Sequence, residues 1–419
     1  MPDKIRVCII CAGLPPFYGG AEGRAYRQAQ RLQNTTNLKL VLVGWNRAND
    51  RTPVIQFPPY VYPVRLRLQL HSGDYDILRL TLHLAEIYIR LGWVFWRLRK
   101  DFDILHVVNG SPLFNLISIP IAKILNKTVV MEMTSLGSDD PLTLNKRSRH
   151  PRQQVFPHQP LKYSLFLKAD NYISKSHALS EAYIQADLPA SKLTQIPSGV
   201  DVARFKPPTQ PEKDALRSRL ETEKNKIIIL FVGGIYELKG VHCLLEAFRV
   251  VALQSTEAHL WIVGPTAHYD SSYIQTIREN AVKWDLSSRV TFVSKQVDNV
   301  DEYMKAADIF ALPSRREGMS NVILEAMSSG LAIVASDIPE IALSQIRNEV
   351  DGLLLPPDKP NQWANSLLKL VRDPEMRRKL GQAARQQAES KFNLEIVDTQ
   401  YFDLYRRLSN SRSVKESAK

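Results

Sequence analysis

The fold is decided by residues 309–336, which read IFALPSRREGMSNVILEAMSSGLAIVAS. The apolar run Ile309–Leu312 predicts a buried strand, and Ala332–Ala335 predicts the next one. Between them the sequence from Gly318 to Gly330 predicts a helix, with Gly330 as its left-handed C-terminal cap. Strand, helix and strand in this order predict parallel strands that are covered by helices.

The same alternation extends over both halves of the chain. Further apolar runs that read as strands are residues 5–10, 38–43, 104–108, 128–133, 227–232, 260–263 and 289–293. A proline-rich segment from Val202 to Lys213 separates the halves. We therefore predict an α/β fold of two doubly wound, Rossmann-like domains that face a central cleft. Ligands of such sheets bind beyond the C-terminal ends of the strands.

The composition is that of an ordinary globular protein with a positive net charge. The 419 residues are 44% hydrophobic and 23% charged, and the net charge is +12. Positive charge favours phosphate-bearing partners, but we find no zinc-finger spacing or ribonucleoprotein motif, so nucleic acid is not expected. Cys8, Cys11 and Cys243 are too few for a disulfide framework, and Cys8 and Cys11, although spaced like a metal or redox pair, are interpreted as buried structural residues. With no cleavage site after the N-terminus and no apolar run of about 20 residues, a cytoplasmic protein is expected.

The start of the predicted helix suits an anionic ligand. The N–H groups of Gly318, Met319 and Ser320 would be unpaired there and, with the helix dipole, would bind a diphosphate. Glu325, about two turns or roughly 12 Å beyond Glu317, would accept hydrogen bonds from a ribose diol. Glu317 would accept them from sugar hydroxyls. The alternative is a first-turn acid at Glu317 and a solvated Glu325, and the spacing alone leaves both open.

This segment resembles the retaining family-4 glycosyltransferases of GT-B fold, also called glycosyltransferase group 1. Their hallmark is two glutamates separated by seven residues, here Glu317 and Glu325. The chain is also similar to the family at Gly19–Glu22, the glycine-rich loop near the donor phosphates. Residues 196–201 resemble the segment before the linker, and residues 232–240 resemble the phosphate-clamping loop. The resemblance covers nearly the whole chain.

The resemblance implies that different parts of the chain bind the acceptor and the donor. Residues 1–205 would bind the acceptor, residues 206–391 the nucleotide sugar, and residues 392–419 would form a helix that crosses back to the first domain. Catalytic roles are implied for Glu317, Lys239 and His106. The implied donor-binding residues are Gly19, Gly20, Gly233, Gly234, Lys239, Glu317, Gly318, Met319, Ser320, Asn321, Val322 and Glu325.

The implied reaction belongs to glycan and polysaccharide biosynthesis. A hexose-type sugar would move with retention from a UDP- or GDP-sugar to a glycan, a lipid-linked acceptor or a small molecule. Neither a metal nor another cofactor is expected, since cations and the helix dipole would stabilise the leaving diphosphate. Two alternatives stay open: a non-catalytic nucleotide-sugar-binding subunit, and a nucleotide-sugar epimerase of GT-B fold.

The chain departs from the family at three places, of which Ser198 in place of an asparagine concerns a turn. The clamp loop usually carries an arginine where this chain has Gly234, so Arg315 or Arg316 is a candidate to supply the missing charge. The strand that ends near Thr134 often ends in a histidine. His106 is then the best histidine candidate for the cleft, and its alternative is a satisfied histidine at a strand end.

Two basic stretches in the first half are candidate acceptor contacts. Residues 77–100 are apolar and basic with two tryptophans, so they predict a helix that either lies on an anionic membrane surface or packs against the domain. Residues 146–168 predict a basic loop. Either stretch is a candidate contact for a lipid-linked or phosphorylated acceptor, with the first as a peripheral membrane contact.

Overall fold

The computed structural model describes residues 4–15, 20–33, 37–46, 56–67, 77–110, 112–145, 159–265, 271–295 and 297–417. The chain forms two compact units. The first contains Met1–Ile196 and Asp398–Lys419, and the second contains Pro197–Val397. Part of the predicted glycine-rich loop, including Gly19, and most of the predicted basic loop at 146–168 lie outside the described residues.

The first unit contains a wholly parallel sheet whose apolar strands are buried between helices. Its strands are β1 (Ile5–Cys11), β2 (Leu38–Trp45), β3 (Val61–Val64), β4 (Ile104–Val108), β5 (Thr128–Met133), β6 (Asn171–Ser174) and β7 (Leu193–Gln195). They lie in the order β3-β2-β1-β4-β5-β6-β7. Its helices are α1 (Gly20–Leu32), α2 (Ile77–Arg97), α3 (Leu113–Ile124), α4 (Pro141–Asn145), α5 (Gln159–Phe166) and α6 (His177–Gln185).

The second unit repeats the arrangement. Its strands are β8 (Ile227–Val232), β9 (Ala258–Val263), β10 (Val290–Val293), β11 (Ile309–Leu312), β12 (Ala332–Ser336) and β13 (Leu353–Leu355). They lie in the order β10-β9-β8-β11-β12-β13, again parallel. Its helices are α7 (Gln210–Arg219), α8 (Val241–Gln254), α9 (Ser271–Lys283), α10 (Val300–Ala306), α11 (Asn321–Ser328), α12 (Pro339–Ala342), α13 (Pro360–Arg372) and α14 (Pro374–Gln387). The last helix, α15 (Leu394–Ser417), belongs to the first unit from Asp398 onward.

Both strand orders reverse direction once, between β1 and β4 in the first sheet and between β8 and β11 in the second. At such a point the loops after two neighbouring strands leave toward opposite faces of the sheet and open a crevice, which is where ligands of doubly wound sheets bind. The prediction of two doubly wound, Rossmann-like domains is therefore confirmed. Within the described part of the chain, no helix is both long and apolar enough to cross a membrane.

The units divide at Ile196, before the boundary at residue 205 that the prolines suggested. Residues after Ile196 are tied to the second unit by the backbone. The Val200 N–H donates to the Phe392 carbonyl at 2.7 Å, and the Leu394 N–H donates to the Val200 carbonyl at 3.1 Å. Phe205 is buried in the core of the second unit. The linker prolines thus follow the point of division and do not mark it.

Candidate functional site

Two loops meet at the switch point of the second sheet, one after β8 and one after β11. The Lys239 ammonium donates to Glu317 Oε1 at 2.7 Å, although the two residues are 78 positions apart. Their side chains are 17% and 8% exposed. The structure therefore brings together two of the residues predicted for catalysis, at the edge where ligands of such sheets bind.

A close approach of the two backbones makes this contact possible. Residues Glu237–Lys239 form a short 3-10 turn that ends at Gly240, whose φ is +65°. A Cβ at Gly240 would lie 2.1 Å from the Pro313 carbonyl oxygen. Only glycine fits such a position, because it tolerates both the left-handed backbone and the lack of space. The Arg315 N–H donates to the Leu238 carbonyl at 2.8 Å and holds the loops together.

The ion pair keeps Lys239 charged. Burial by itself lowers the pKa of Lys239, but the Glu317 carboxylate, its hydrogen bond and the nearby Tyr236 phenol together raise that pKa above its ordinary value. The ammonium is therefore protonated at neutral pH. A diphosphate that entered the crevice would meet a fixed, partly desolvated cation, which stabilises negative charge more strongly than an exposed one does.

Tyr236 occupies the space in which a side chain at position 234 would begin. A Cβ at Gly234 would lie 2.9 Å from Tyr236 Cε1. The Lys239 ammonium lies 5.9 Å from the centre of the same ring. Gly233 lies next to this point, and its carbonyl oxygen would be 2.0 Å from a Cβ at Gly264. The clamp loop is thus packed around a tyrosine where the resembling family places an arginine.

Arg315 is not available as the missing cation. Its guanidinium donates to Asp358 at 2.7 Å and to Glu237 at 2.8 Å, and it lies 3.3 Å from His242 Nε2. Two carboxylates thus neutralise Arg315 away from Glu317. Arg316 is exposed.

The helix after the loop begins later than predicted. α11 starts at Asn321 with Ser320 as its N-cap, whereas the sequence suggested a start near Gly318. The cause is the buried Gln345, whose side chain accepts from the Ser320 N–H at 3.0 Å and donates to the Ser320 carbonyl at 2.8 Å. The Ser320 N–H is therefore occupied. The N–H groups without an intrahelical acceptor are instead those of the first turn, Asn321, Val322 and Ile323.

The remaining residues of this segment have separate environments. Met319 is buried in the core, and its sulfur accepts from the Ser198 N–H at 3.0 Å. Because α11 begins at Asn321, half-buried Glu325 lies about one turn, roughly 6 Å, from the first residue of the helix. Gly318 is half-buried. Gly330 has φ +72°, which confirms the predicted left-handed cap.

The first unit does not present His106 as predicted. The His106 side chain lies on β4 and is completely buried. Its Nδ1 is 2.7 Å from the Tyr405 hydroxyl, and its Nε2 is 3.3 Å from Glu132 Oε2. Tyr401 packs against the ring with centroids 5.7 Å apart. Both nitrogens thus face side chains of the same unit, so the expectation of a cleft-facing histidine is corrected. Gly20, by contrast, begins α1 and is exposed.

Glu132 is the centre of a buried charged cluster that the sequence did not reveal. Its carboxylate forms ion pairs with Arg24 and Lys175, and it accepts a hydrogen bond from Tyr401. Burial raises the pKa of Glu132, but the two cations outweigh burial and hold it well below its ordinary value. Burial lowers the pKa of Lys175 to about 7, and Glu132 offsets only part of that shift. The one sequence signal was a glutamate inside an apolar strand.

Asp139 shapes the loop in which a histidine was expected at Thr134. Its carboxylate accepts from the Thr134 N–H at 2.7 Å, the Thr134 hydroxyl at 2.9 Å and the Ser135 N–H at 2.8 Å. The Gly110 N–H, after β4, donates to it at 3.3 Å. Burial raises the pKa of Asp139 to about 6, against these hydrogen bonds. Thr134 therefore has a structural role, because it donates hydrogen bonds to Asp139.

Comparison with known proteins places the Lys239–Glu317 site in a family. The family described as "Glycosyl transferases group 1" matches residues 212–387, inside the second unit. The chain carries a glycosyl transferases group 1 domain. Lys239, Glu317 and the whole of α11 lie within this group 1 domain.

Curated relatives support the same domain. A D-inositol 3-phosphate glycosyltransferase of Jonesia denitrificans is 26% identical over 63% of this chain and 62% of its own length. A GDP-mannose-dependent monoacylated alpha-(1-6)-phosphatidylinositol monomannoside mannosyltransferase of Corynebacterium glutamicum is 30% identical over 48% of this chain and 53% of its own length. The chain thus spans less than two thirds of each of these relatives.

Solved structures share the fold over nearly the entire chain. Sucrose-phosphate synthase from Thermosynechococcus elongatus superposes with a TM-score of 0.77 and 22% identity, covering 97% of this chain and 100% of that one. Anabaena Alr3699/HepE, in complex with UDP, has a TM-score of 0.75 and 17% identity over 96% and 100%. At these identities the likeness shows the fold, which is that of GT-B glycosyltransferases, and the group 1 domain supplies one of its two sheets. Among the described residues, no group of three or more His, Cys, Asp or Glu is arranged to hold a metal ion.

Proposed function

We propose that this protein is a retaining glycosyltransferase that moves a hexose-type sugar from a UDP- or GDP-sugar to an acceptor. The observation that carries this proposal is the contact between Lys239 and Glu317 at the switch point of a group 1 domain. A cation, a carboxylate and a helix N-terminus converge there. These three groups match the diphosphate, the sugar hydroxyls and the developing negative charge of a nucleotide-sugar donor.

Donor binding would separate the ion pair. The donor diphosphate would replace Glu317 as the counterion of Lys239, with the N–H groups of Asn321 and Val322 beside its oxygens. Glu317 would then accept hydrogen bonds from the sugar hydroxyls. Glu325, one turn into α11, is the proposed acceptor for the ribose diol. Without a donor, the contact between the two side chains holds both of them in place.

The proposed step exchanges one bond at the anomeric carbon for another on the same face. The bond between that carbon and the diphosphate oxygen breaks, and its electron pair leaves with the nucleoside diphosphate. The acceptor oxygen forms the new bond and loses its proton to the leaving phosphate oxygen. Lys239 stabilises the departing negative charge, which is the contribution expected to dominate the rate.

The relatives support nucleotide-sugar chemistry and phosphate-bearing acceptors. The Corynebacterium protein is named for GDP-mannose and a phosphatidylinositol monomannoside, and the Jonesia protein for inositol 3-phosphate. Anabaena Alr3699/HepE binds UDP-glucose. The net charge of +12 also favours phosphate-bearing partners. A glycan, a lipid-linked molecule or a small phosphorylated molecule is therefore the proposed acceptor, with residues 77–100 as the proposed peripheral membrane contact.

A panel of UDP- and GDP-sugars tests the proposal. The parent protein should release free nucleoside diphosphate from one of these donors, and that donor should raise its melting temperature. Thermal stabilisation by a donor without release would instead favour a non-catalytic binding subunit. Neither release nor stabilisation across the panel would contradict both functions.

A further inference from the structure

Helix α2 carries apolar side chains on two opposite faces. One face contributes Ile87, Leu91 and Phe95 to the core of the first unit, where all three are buried. The opposite face is exposed to solvent. Its large apolar residues are Leu78, Leu82, Ile89, Trp93 and Trp96. Their positions fall within an arc of roughly 60° and extend over about 27 Å of helix.

The exposed face is large for a surface that meets only water. Ile89 is 69% exposed and Trp93 is 60% exposed. Single exposed apolar residues are common on proteins, but a continuous apolar surface marks a binding site. The core of the first unit uses the other face of α2, so internal packing does not explain this one.

A groove runs between this face and the edge strand β3. Its volume is about 820 Å³, within the range of about 300–1,000 Å³ that is typical of small-ligand sites. Its apolar walls are formed by Pro63, Val64, Leu82, Ile89, Trp93 and Val94. Such walls suit a hydrocarbon chain better than a sugar or a nucleotide.

Three of the residues that line the groove are arginines. Arg65 and Arg67 follow the C-terminal end of β3, and Arg90 lies on α2. The acidic residue among the lining side chains, Glu86, accepts from Arg90 at 2.7 Å and from the Arg67 N–H at 2.7 Å. Three guanidinium groups against one carboxylate leave the groove positively charged. Charge complementarity therefore selects an anionic head group for a ligand whose chain lies along the apolar walls.

Two of these arginines lie beyond the C-terminal edge of the first sheet. Arg65 and Arg67 continue from the C-terminal end of β3, and ligands of doubly wound sheets bind beyond such ends. On the outer part of α2, Arg97 lies 5.6 Å from the Trp93 ring centre. Arg99 lies 4.2 Å from that of Trp96. Paired aromatic and cationic groups of this kind suit the head-group region of an anionic lipid surface.

We propose that the β3–α2 groove binds the hydrocarbon chain of a phosphorylated lipid, with Arg65 and Arg67 beside its phosphate. The identification of this lipid as the acceptor rests on the proposed function, whereas its binding does not. Of the three proposed classes of acceptor, the groove therefore favours the lipid-linked one over a glycan or a small molecule.

Dodecyl phosphate below its micellar concentration is the probe. Ala85 lines the groove and is exposed, so Ala85→Trp fills the groove without removing a core side chain. Leu78→Trp adds the same bulk to the exposed face outside the groove lining and is the matched control. Titration calorimetry should show saturable binding to the parent and to Leu78→Trp, and a loss of about tenfold or more with Ala85→Trp. Inorganic phosphate should bind far more weakly than dodecyl phosphate.

Equal binding of dodecyl phosphate by Ala85→Trp and the parent would overturn the proposal. So would inorganic phosphate that binds as tightly as dodecyl phosphate, because the site would then recognise phosphate without a chain. A concentration-dependent dimer that Ala85→Trp dissociates would assign the face to a second copy. Nucleoside diphosphate release from the sugar donor is measured on the parent without acceptor, so that it reports on the donor site alone. If the parent releases no nucleoside diphosphate from any donor, the proposed function is contradicted. The result of the lipid titration still stands in that case.

Discussion

The Glu317 carboxylate is the counterion of the Lys239 ammonium, 2.7 Å away, across two loops that follow neighbouring strands. Both side chains are largely buried, so the loss of either one leaves the other without its counterion. Removing one partner therefore alters the other, and the two single variants are expected to behave differently.

Glu317→Gln should separate diphosphate binding from turnover. Without its carboxylate partner, Lys239 is free to meet the diphosphate, so UDP or GDP should bind as tightly as in the parent or more tightly. Turnover should still fall by about tenfold or more, because the contact with the sugar is lost. Calorimetry and nucleotide release measure the two effects, and weaker binding of both nucleotides would contradict these roles.

Gly240→Ala should destabilise the second unit and disturb the site. The added Cβ would lie 2.1 Å from the Pro313 carbonyl oxygen, at a φ of +65°. We expect a loss of about 1–3 kcal/mol in the free energy of unfolding. Gly92→Ala is the control, since a Cβ at Gly92 in α2 meets nothing within 4 Å. Chemical denaturation of the two variants should separate them, and equal stabilities would show that the loops yield easily.

Gly234→Arg should not simply restore the arginine of the resembling family. The new Cβ would lie 2.9 Å from Tyr236 Cε1, so the variant should lose about 1–3 kcal/mol of stability through overpacking. Adding Tyr236→Ala should recover most of that loss and allow the arginine to reach a bound diphosphate. Melting temperatures and UDP or GDP affinities of the single and double variants test this. A stable single variant with higher affinity would contradict it.

Titration of the buried Asp139 carboxyl should make the free energy of unfolding depend on pH. Its pKa is about 6 in the folded protein and 3.8 in its ordinary state. Between these values the folded state binds a proton that the unfolded state lacks, so this group's contribution to the free energy of unfolding decreases as the pH rises from about 4 to about 6, by up to about 3 kcal/mol. Asp139→Asn should remove that contribution. Chemical denaturation of the parent and of Asp139→Asn between about pH 4 and about pH 6 measures this contribution. If the free energy of unfolding changes with pH in the same way for both proteins, the prediction is wrong.

His106→Gln should affect stability and leave donor chemistry intact. The imidazole is buried between Glu132 and Tyr405, so its replacement should lower the melting temperature. Release of nucleoside diphosphate per folded molecule should stay within about twofold of the parent. A hundredfold loss of nucleoside diphosphate release with an unchanged melting temperature would show that His106 takes part in the reaction.

Local pattern was sufficient for the fold and for the core of the site. The apolar runs at β8 and β11 fix the loops after them, and parallel neighbours in one sheet bring those loops together. The direct contact between Lys239 and Glu317 was not itself predicted, but it follows from this arrangement of the two loops. The left-handed cap at Gly330 was predicted equally well, since it depends on the backbone conformation of that residue alone.

Long-range partners decided what the sequence could not predict. Gln345 moves the start of α11 to Asn321 by holding Ser320, and no local rule links those residues. His106 is buried by Tyr401 and Tyr405, the latter 299 residues further along the chain. The space at Gly234 is likewise filled by a ring whose direction the sequence does not encode.

The donor site is tested most directly by nucleoside diphosphate release from the active donor by Lys239→Ala and Glu325→Ala. Lys224→Ala, an exposed lysine of the same unit, is the control. We predict a loss of about 100-fold or more for Lys239→Ala, a clear loss of donor affinity for Glu325→Ala, and parent-like release for Lys224→Ala. If Lys239→Ala and Glu325→Ala both bind and turn over the donor like the parent, the donor site does not lie between these loops.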